Sequence, residues 1–301
     1  MANAIAMGGE YDCKTASEFL NMLSPRHHFW QPTPSAWIFR GQAGDWPLEA
    51  KAYRSKGASF AEYGVACHVA TGESGPRQSA YDTAFQQLME RFRAALDANG
   101  LVIPGPPPAM FEHGPMATAP GLRRSPSAIP SFALAQHFGL PTPLLDWSRR
   151  GYVAAYFSLP TTLSSNGRLY VWALRQDVLP TRVEFHEMGK DAGAAFMSIE
   201  TAPRASNPNL HAQAGVFTFI EGTAAHDFTI NRYVEQVAAR LFTEDNSEQE
   251  HTFLVRLTLP ASEAPKLRRL LAEEGVDGAS MFPGYDGVVR AMKERTHWDN
   301  P

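Results

Sequence analysis

At 301 residues, with 44% hydrophobic and 19% charged residues, the chain has the make-up of a globular protein of one large or two small domains. A formal net charge of −4 argues against a broad basic face for nucleic acid, and two cysteines, Cys13 and Cys67, are too few for a disulfide framework or a zinc cluster. No apolar run is long enough to cross a bilayer and residues 1–10 lack the basic-then-apolar pattern of a secretory signal, so the expectation is a cytoplasmic protein without a membrane partner.

In chain order, residues 17–23 predict a short opening helix capped by Thr15 or Ser17, ended by Pro25 and the Pro32/Pro34 pair. The next segment, Trp37-Ile38-Phe39-Arg40-Gly41-Gln42, reads as a buried strand that ends in a cation. A buried guanidinium stays charged and needs a partner, so Arg40 either grips an anion through its five-donor fork or closes a structural ion pair. Gly41 beside it lets a ligand approach the backbone.

Residues 81–99 carry Phe85, Leu88, Met89, Phe92 and Leu96 at helical spacing, with Asn99-Gly100 as a stop. Residues 101–130, with Pro104-Gly105-Pro106-Pro107-Pro108, are an irregular, proline-rich excursion. A helical pattern resumes over 131–138 and ends at Gly139, an apolar pair Leu144-Leu145 runs into Asp146, and 151–159 is apolar nearly all round, as a buried helix is. Strands are expected at 168–174, 216–220 and 252–259 and a helix at 264–274, with 285–292 closing the domain; residues 175–209 fit no pattern. The sum is an α+β fold, a mixed or antiparallel sheet with flanking helices, divided into an N-terminal extension, 1–35, and a domain, 36–295. The basic runs Arg123-Arg124 and Lys266-Leu267-Arg268-Arg269 read as solvated surface charge.

Four segments fall together. Phe39-Arg40-Gly41-Gln42 precedes Gln136-His137-Phe138-Gly139-Leu140-Pro141-Thr142-Pro143-Leu144-Leu145-Asp146-Trp147-Ser148, which runs on into Val153-Ala154-Ala155-Tyr156-Phe157; Gln213-Ala214-Gly215-Val216-Phe217 and Met281-Phe282-Pro283-Gly284 follow. This order resembles the FRG domain family, bacterial and phage-associated, over roughly residues 37–291, with one departure: Pro143 stands where the family pattern has arginine. The layout also resembles that of ADP-ribosyltransferases built on an arginine, a serine and a glutamate on successive strands. That resemblance implies an ADP-ribosyltransferase-like fold and NAD as substrate, with no metal. In it Arg40 holds the pyrophosphate, with Gly41 and Thr142 beside the ligand, and Ser148 supports the nicotinamide ribose. Gln213 stands where the glutamate is expected.

A glutamine there changes the chemistry at issue. As nicotinamide leaves, the sugar gains oxocarbenium character that a carboxylate stabilises, whereas an amide offers a dipole. Asp146 is the alternative acid, its surroundings expected to be made less polar by Trp147, and Glu248-Gln249-Glu250 is a second. His137 reads as a general acid or base at the rim, or as a core histidine tying a helix end to a loop; an Arg40–Asp146 pair would make the arrangement architectural. Phosphate-loop, nucleophile-elbow and metal-helix motifs do not occur, and His27-His28 lacks ligand spacing. The resemblance implies transfer of ADP-ribose to a protein or nucleic-acid acceptor, or NAD hydrolysis, in a toxin or phage-defence effector with an inhibitor or other defence-system partner. The alternative is a non-catalytic module that senses a nucleotide or other ligand.

Overall fold

The structure, a computed structural model, describes residues 9–31, 33–67, 77–102, 111–112, 123–124, 128–160, 167–177, 182–185, 193–203, 207–222, 229–244 and 252–298. Its strands are β1 (Glu10–Asp12), β2 (Trp37–Gln42), β3 (Phe111–Glu112), β4 (Arg123–Arg124), β5 (Leu144–Ser148), β6 (Arg168–Arg175), β7 (Arg182–Phe185), β8 (Gly193–Glu200), β9 (Gly215–Gly222) and β10 (Leu254–Pro260). Its helices are α1 (Ala16–Leu23), α2 (Arg77–Ala98), α3 (Ile129–His137), α4 (Gly151–Ser158), α5 (Pro208–Ala212), α6 (Ile230–Glu244), α7 (Ala264–Glu273), α8 (Gly278–Met281) and α9 (Tyr285–Arg295).

Eight strands form one mixed sheet in the order β1-β10-β6-β2-β5-β9-β8-β7, so the expected α+β architecture is observed. β1 runs parallel to β10 and the remaining pairs are antiparallel. The sheet is nearly two sheets. β2 pairs with β6 over six residues and β5 with β9 over five, but β2 and β5 meet only at Phe39 opposite Ser148. Beyond that single pair the strands diverge, and their facing backbone groups must find other partners.

Packing follows the split. On one face a continuous apolar layer crosses the seam, with Ile38, Trp172 and Leu174 from one half meeting Leu145, Trp147 and Val216 from the other beneath Tyr233, Val234 and Val237 of α6. On the opposite face there are two separate clusters. One gathers Trp37, Phe39, Val171 and Leu257 under α1, α4 and α7. The other gathers Leu144, Phe217 and Phe219 under Phe85, Leu88 and Met89 of α2 and Phe132 of α3. The period-two alternation of each strand produces this division, because neighbouring residues point to opposite faces.

Most expected elements are present within a residue or a few. The segment read as an N-terminal extension is stitched into the same body, since β1 extends the sheet and Phe19, Leu20 and Leu23 of α1 lie in the core. The stretch 175–209 holds a hairpin, β7 with β8, on the far edge. Within 101–130 the described residues include the short β3–β4 pairing and the start of α3. Arg268, read as surface charge, is buried: it donates to the Pro160 carbonyl at 3.2 Å and lies 3.7 Å from Glu294.

Candidate functional site: a cleft at the split in the sheet

Where β2 and β5 part, a cleft of about 390 Å³ opens, lined by Phe39, Arg40, Gly41, His137, Asp146, Trp147, Ser148, Val153, Ala154, Phe157, Gln213 and Phe282. Its size falls within the range of small-molecule sites. Five of the residues expected to act together, Arg40, His137, Asp146, Ser148 and Gln213, do converge there.

Arg40 spans the gap. Its Nη1 donates to the Asp146 main-chain carbonyl at 2.7 Å, replacing the ladder bond that the diverging strands do not make. The Asp146 carboxylate lies 3.9 Å from Nη1 and is 60% exposed, so it does not clamp the guanidinium. Nε is buried without a hydrogen-bond partner among the described residues. Burial pushes the guanidinium down to about 10, partly offset by Asp146 and reinforced by Arg54, and it stays cationic at neutral pH. A buried donor left unpaired costs on the order of 1–3 kcal/mol.

Ser148 ends β5 and is buried. Its Oγ donates to the Gln213 carbonyl at 2.8 Å and accepts from Arg150 N–H at 3.0 Å. Gln213 sits in the turn between α5 and β9. Asn207 caps α5 through Leu210 N–H at 2.9 Å, and Ala214 then takes φ +47°, a left-handed value that strains a residue with a Cβ by roughly 1–2 kcal/mol. The turn brings the Gln213 carbonyl to Ser148, while Gln213 Nε2 donates to the Met281 carbonyl at 3.1 Å.

His137 is exposed at the rim, with Nε2 3.2 Å from Nδ2 of Asn209. An amide nitrogen can only donate, so in the neutral ring Nε2 accepts and Nδ1 carries the proton. The apolar wall is Phe157 and Phe282, edge to face with centroids 6.1 Å apart. The Arg290 guanidinium lies 4.1 Å from the Phe282 centroid on that ring's face. Phe157, Phe282 and Asn209 were not picked out from the sequence, although the first two stand inside the quoted motifs.

Three further residues of the motifs have other neighbours than the contacts expected of them. Gly41 lines the cleft, but what approaches its backbone is protein: a Cβ there would lie 1.9 Å from the Ala154 carbonyl and 2.5 Å from Ser158 N, so the glycine seats α4 on β2. Thr142 is fully buried outside the cleft lining; its hydroxyl bonds the Gln136 side chain and accepts from Leu144 N–H at 3.3 Å, and its carbonyl accepts from Ala52 N–H at 3.1 Å. Trp147 does not make the Asp146 carboxylate's surroundings apolar. Its indole points to the opposite face and donates to Thr218 Oγ1 at 3.0 Å, leaving Asp146 in solvent. Glu248-Gln249-Glu250 lies outside the described residues. Among the described residues, no group of three or more His, Cys, Asp or Glu could hold a metal ion, and no helix is long and apolar enough to cross a membrane.

The fold and cleft define a class: an α+β protein whose split sheet seats a largely buried arginine at the seam, on the wall of a cleft. The FRG domain family model matches residues 108–167, so the FRG resemblance carried by the motifs is found again there. That stretch includes His137, Asp146, Ser148 and Phe157 of the cleft; Arg40, Gln213 and Phe282 lie outside it. No curated protein and no solved structure matches the chain.

Proposed function

We propose that this chain binds NAD in the seam cleft and acts on its nicotinamide–ribose bond, as an ADP-ribosyltransferase or NAD glycohydrolase. The observation that carries the reading is Arg40, a cation lining the cleft that, among the described residues, has a carboxylate no closer than the loose 3.9 Å contact with Asp146 and an Nε without a hydrogen-bond partner. A diphosphate supplies the acceptors and charge such a fork needs. Phe157 and Phe282 offer a wall for a flat ring. Ser148 Oγ keeps one lone pair for a ribose hydroxyl after its two hydrogen bonds, and Gln213 Oε1 can accept from another.

In this reading the C1′–N bond breaks and its electron pair leaves with nicotinamide. The ribosyl cation is stabilised by the Asp146 carboxylate at the cleft mouth, then captured by a protein side chain, a nucleic-acid base or water. The proton released by the capturing group passes to His137 Nε2 once that nitrogen exchanges the Asn209 amide for the incoming group, or to water. The FRG resemblance makes a toxin or phage-defence effector the natural setting.

A second reading, a nucleotide-sensing module, is favoured by one observation: the residue in the glutamate position is neutral, and its amide is tied to the Met281 carbonyl. Calorimetric titration with NAD, and chromatography of an NAD incubation for nicotinamide, ADP-ribose and labelled macromolecules, separate the two. The catalytic reading expects binding and nicotinamide release, the first weakened about a hundredfold and the second lost in Arg40→Met. Binding without release supports the sensor; absence of binding sinks both.

A further inference from the structure

Helix α9 carries a second apolar face. Tyr285, Val288, Val289 and Met292 recur at i, i+3, i+4 and i+7 and so form one stripe, all of it exposed, with Tyr285 at 93% and Met292 at 63%. The helix cannot roll to bury them, because its other side is already fixed. Gly287 and Ala291 are buried, and a Cβ at Gly287 would meet the Phe282 carbonyl at 1.8 Å. Glu294 accepts from Tyr156 O–H at 2.6 Å and from Gly278 N–H at 2.9 Å. Single exposed apolar residues need no explanation, whereas a contiguous stripe on a locked helix does.

The charges bordering the stripe say what kind of surface fits it. At 100° per residue Lys293 falls on one edge and Arg295 on the other, both exposed. The exposed acid of this helix, Asp286, falls on the same edge as Lys293 two turns earlier, so the border carries two cations and one acid with the cations at its C-terminal end, and Glu294 is turned inward. On a chain of net charge −4 this is a locally basic apolar face.

We propose that the exposed face of α9 is the docking site of a partner protein that presents an amphipathic helix whose apolar stripe is bordered by carboxylates. An anionic bilayer offers related chemistry but a poorer fit, because the stripe spans a single 11-residue helix. The site adjoins the cleft in sequence and contact. Phe282, three residues before Tyr285, lines the cleft, and the Met281 carbonyl holds Gln213. A docked partner therefore restrains the segment that forms one cleft wall.

A displayed library of helical peptides with apolar residues at i, i+3, i+4 and i+7, bordered by Glu, Gln or Lys, is selected against the full chain and against the V288T/V289T/M292Q variant. The expected result is enrichment of Glu-bordered peptides on the wild type, binding at least about tenfold weaker to the triple variant, and a preference switched to Lys-bordered peptides by K293E/R295E. An unchanged melting curve for the triple variant, whose altered side chains are exposed, shows that any loss is of the surface and not of the fold. The proposal is overturned by an absence of enrichment over the triple variant, or by enrichment indifferent to border charge. It is also overturned if the stripe proves to bind phosphatidylserine vesicles instead of peptide, or to hold two copies of the chain together in sedimentation.

Discussion

Arg40 and Asp146 are joined chiefly through the backbone: Nη1 reaches the Asp146 main-chain carbonyl at 2.7 Å, while the mostly exposed carboxylate makes only a loose ion pair at 3.9 Å. The bond closes the gap where β2 and β5 separate, and it uses one of five donors. The cation is thereby positioned without being neutralised. A bidentate internal pair would have closed the site, and its absence is what leaves the cleft chemically open.

Replacing Arg40 by methionine tests this directly. Removing one partner of a tight buried ion pair costs about 3–5 kcal/mol, whereas removing a buried cation that is barely paired is near neutral or stabilising. Arg40→Met also leaves the Asp146 carbonyl without its donor, so the two effects oppose each other and the melting temperature is expected to stay near wild type, while NAD affinity falls by about a hundredfold, roughly the worth of two charge-assisted hydrogen bonds. Thermal melts and calorimetry on the same preparations read both.

Gly41 and Thr142 are expected to affect folding through different contacts. Gly41→Ala drives a methyl into the Ala154 carbonyl, displaces α4 and is expected to cost about 3 kcal/mol in chemical denaturation. Thr142→Val removes the hydroxyl that serves Gln136 and Leu144 N–H, for a loss of about 1–3 kcal/mol. NAD affinity of the folded Thr142→Val protein is expected to match wild type; a clear loss would return Thr142 to the site.

Gln213→Glu separates chemistry from architecture. A carboxylate cannot donate to the Met281 carbonyl, so the link to α8 is lost and stability drops by about 1–3 kcal/mol. If nicotinamide departure is limited by charge stabilisation at this position, the variant releases nicotinamide faster per bound NAD. A rate unchanged or lower assigns that work to Asp146, whose Asp146→Asn variant is then expected to lose release while still binding.

Cys13 gives a pH signature unrelated to the cleft. Burial, with a smaller push from Glu18, raises its thiol from 9.0 to about 11, against a slight pull from Lys14. The unfolded chain therefore gives up this proton before the folded one. Its contribution to stability is intact below about pH 9 and declines as pH rises towards 11, by at most about 3 kcal/mol. The denaturation midpoint of wild type is expected to fall more steeply across that window than that of Cys13→Ala. Iodoacetamide is expected to modify Cys67 well before the buried Cys13 in the native protein.

Much of this protein is local and was legible in the chain itself. Helix α2 follows from Phe85, Leu88 and Met89 at helical spacing, and its end from Gly100 at φ +66°. The strand carrying Arg40, the buried α4 and the convergence of the FRG motifs rest on the same kind of pattern. The β7–β8 hairpin was hidden because an edge pair draws its support from a neighbouring strand, β9, and not from its own periodicity.

Tertiary structure decided the meaning of individual side chains. A motif places Gly41, Thr142 and Trp147 beside the reactive residues in sequence, but adjacent strand residues face opposite ways, so Trp147 went to the far core and Asp146 to water. The residue pressed against Gly41 comes from a helix more than a hundred positions later. Whether Arg40 is bolted or free depends on a single pairing between β2 and β5, and strand register across a seam is a property of the whole sheet that no segment carries alone.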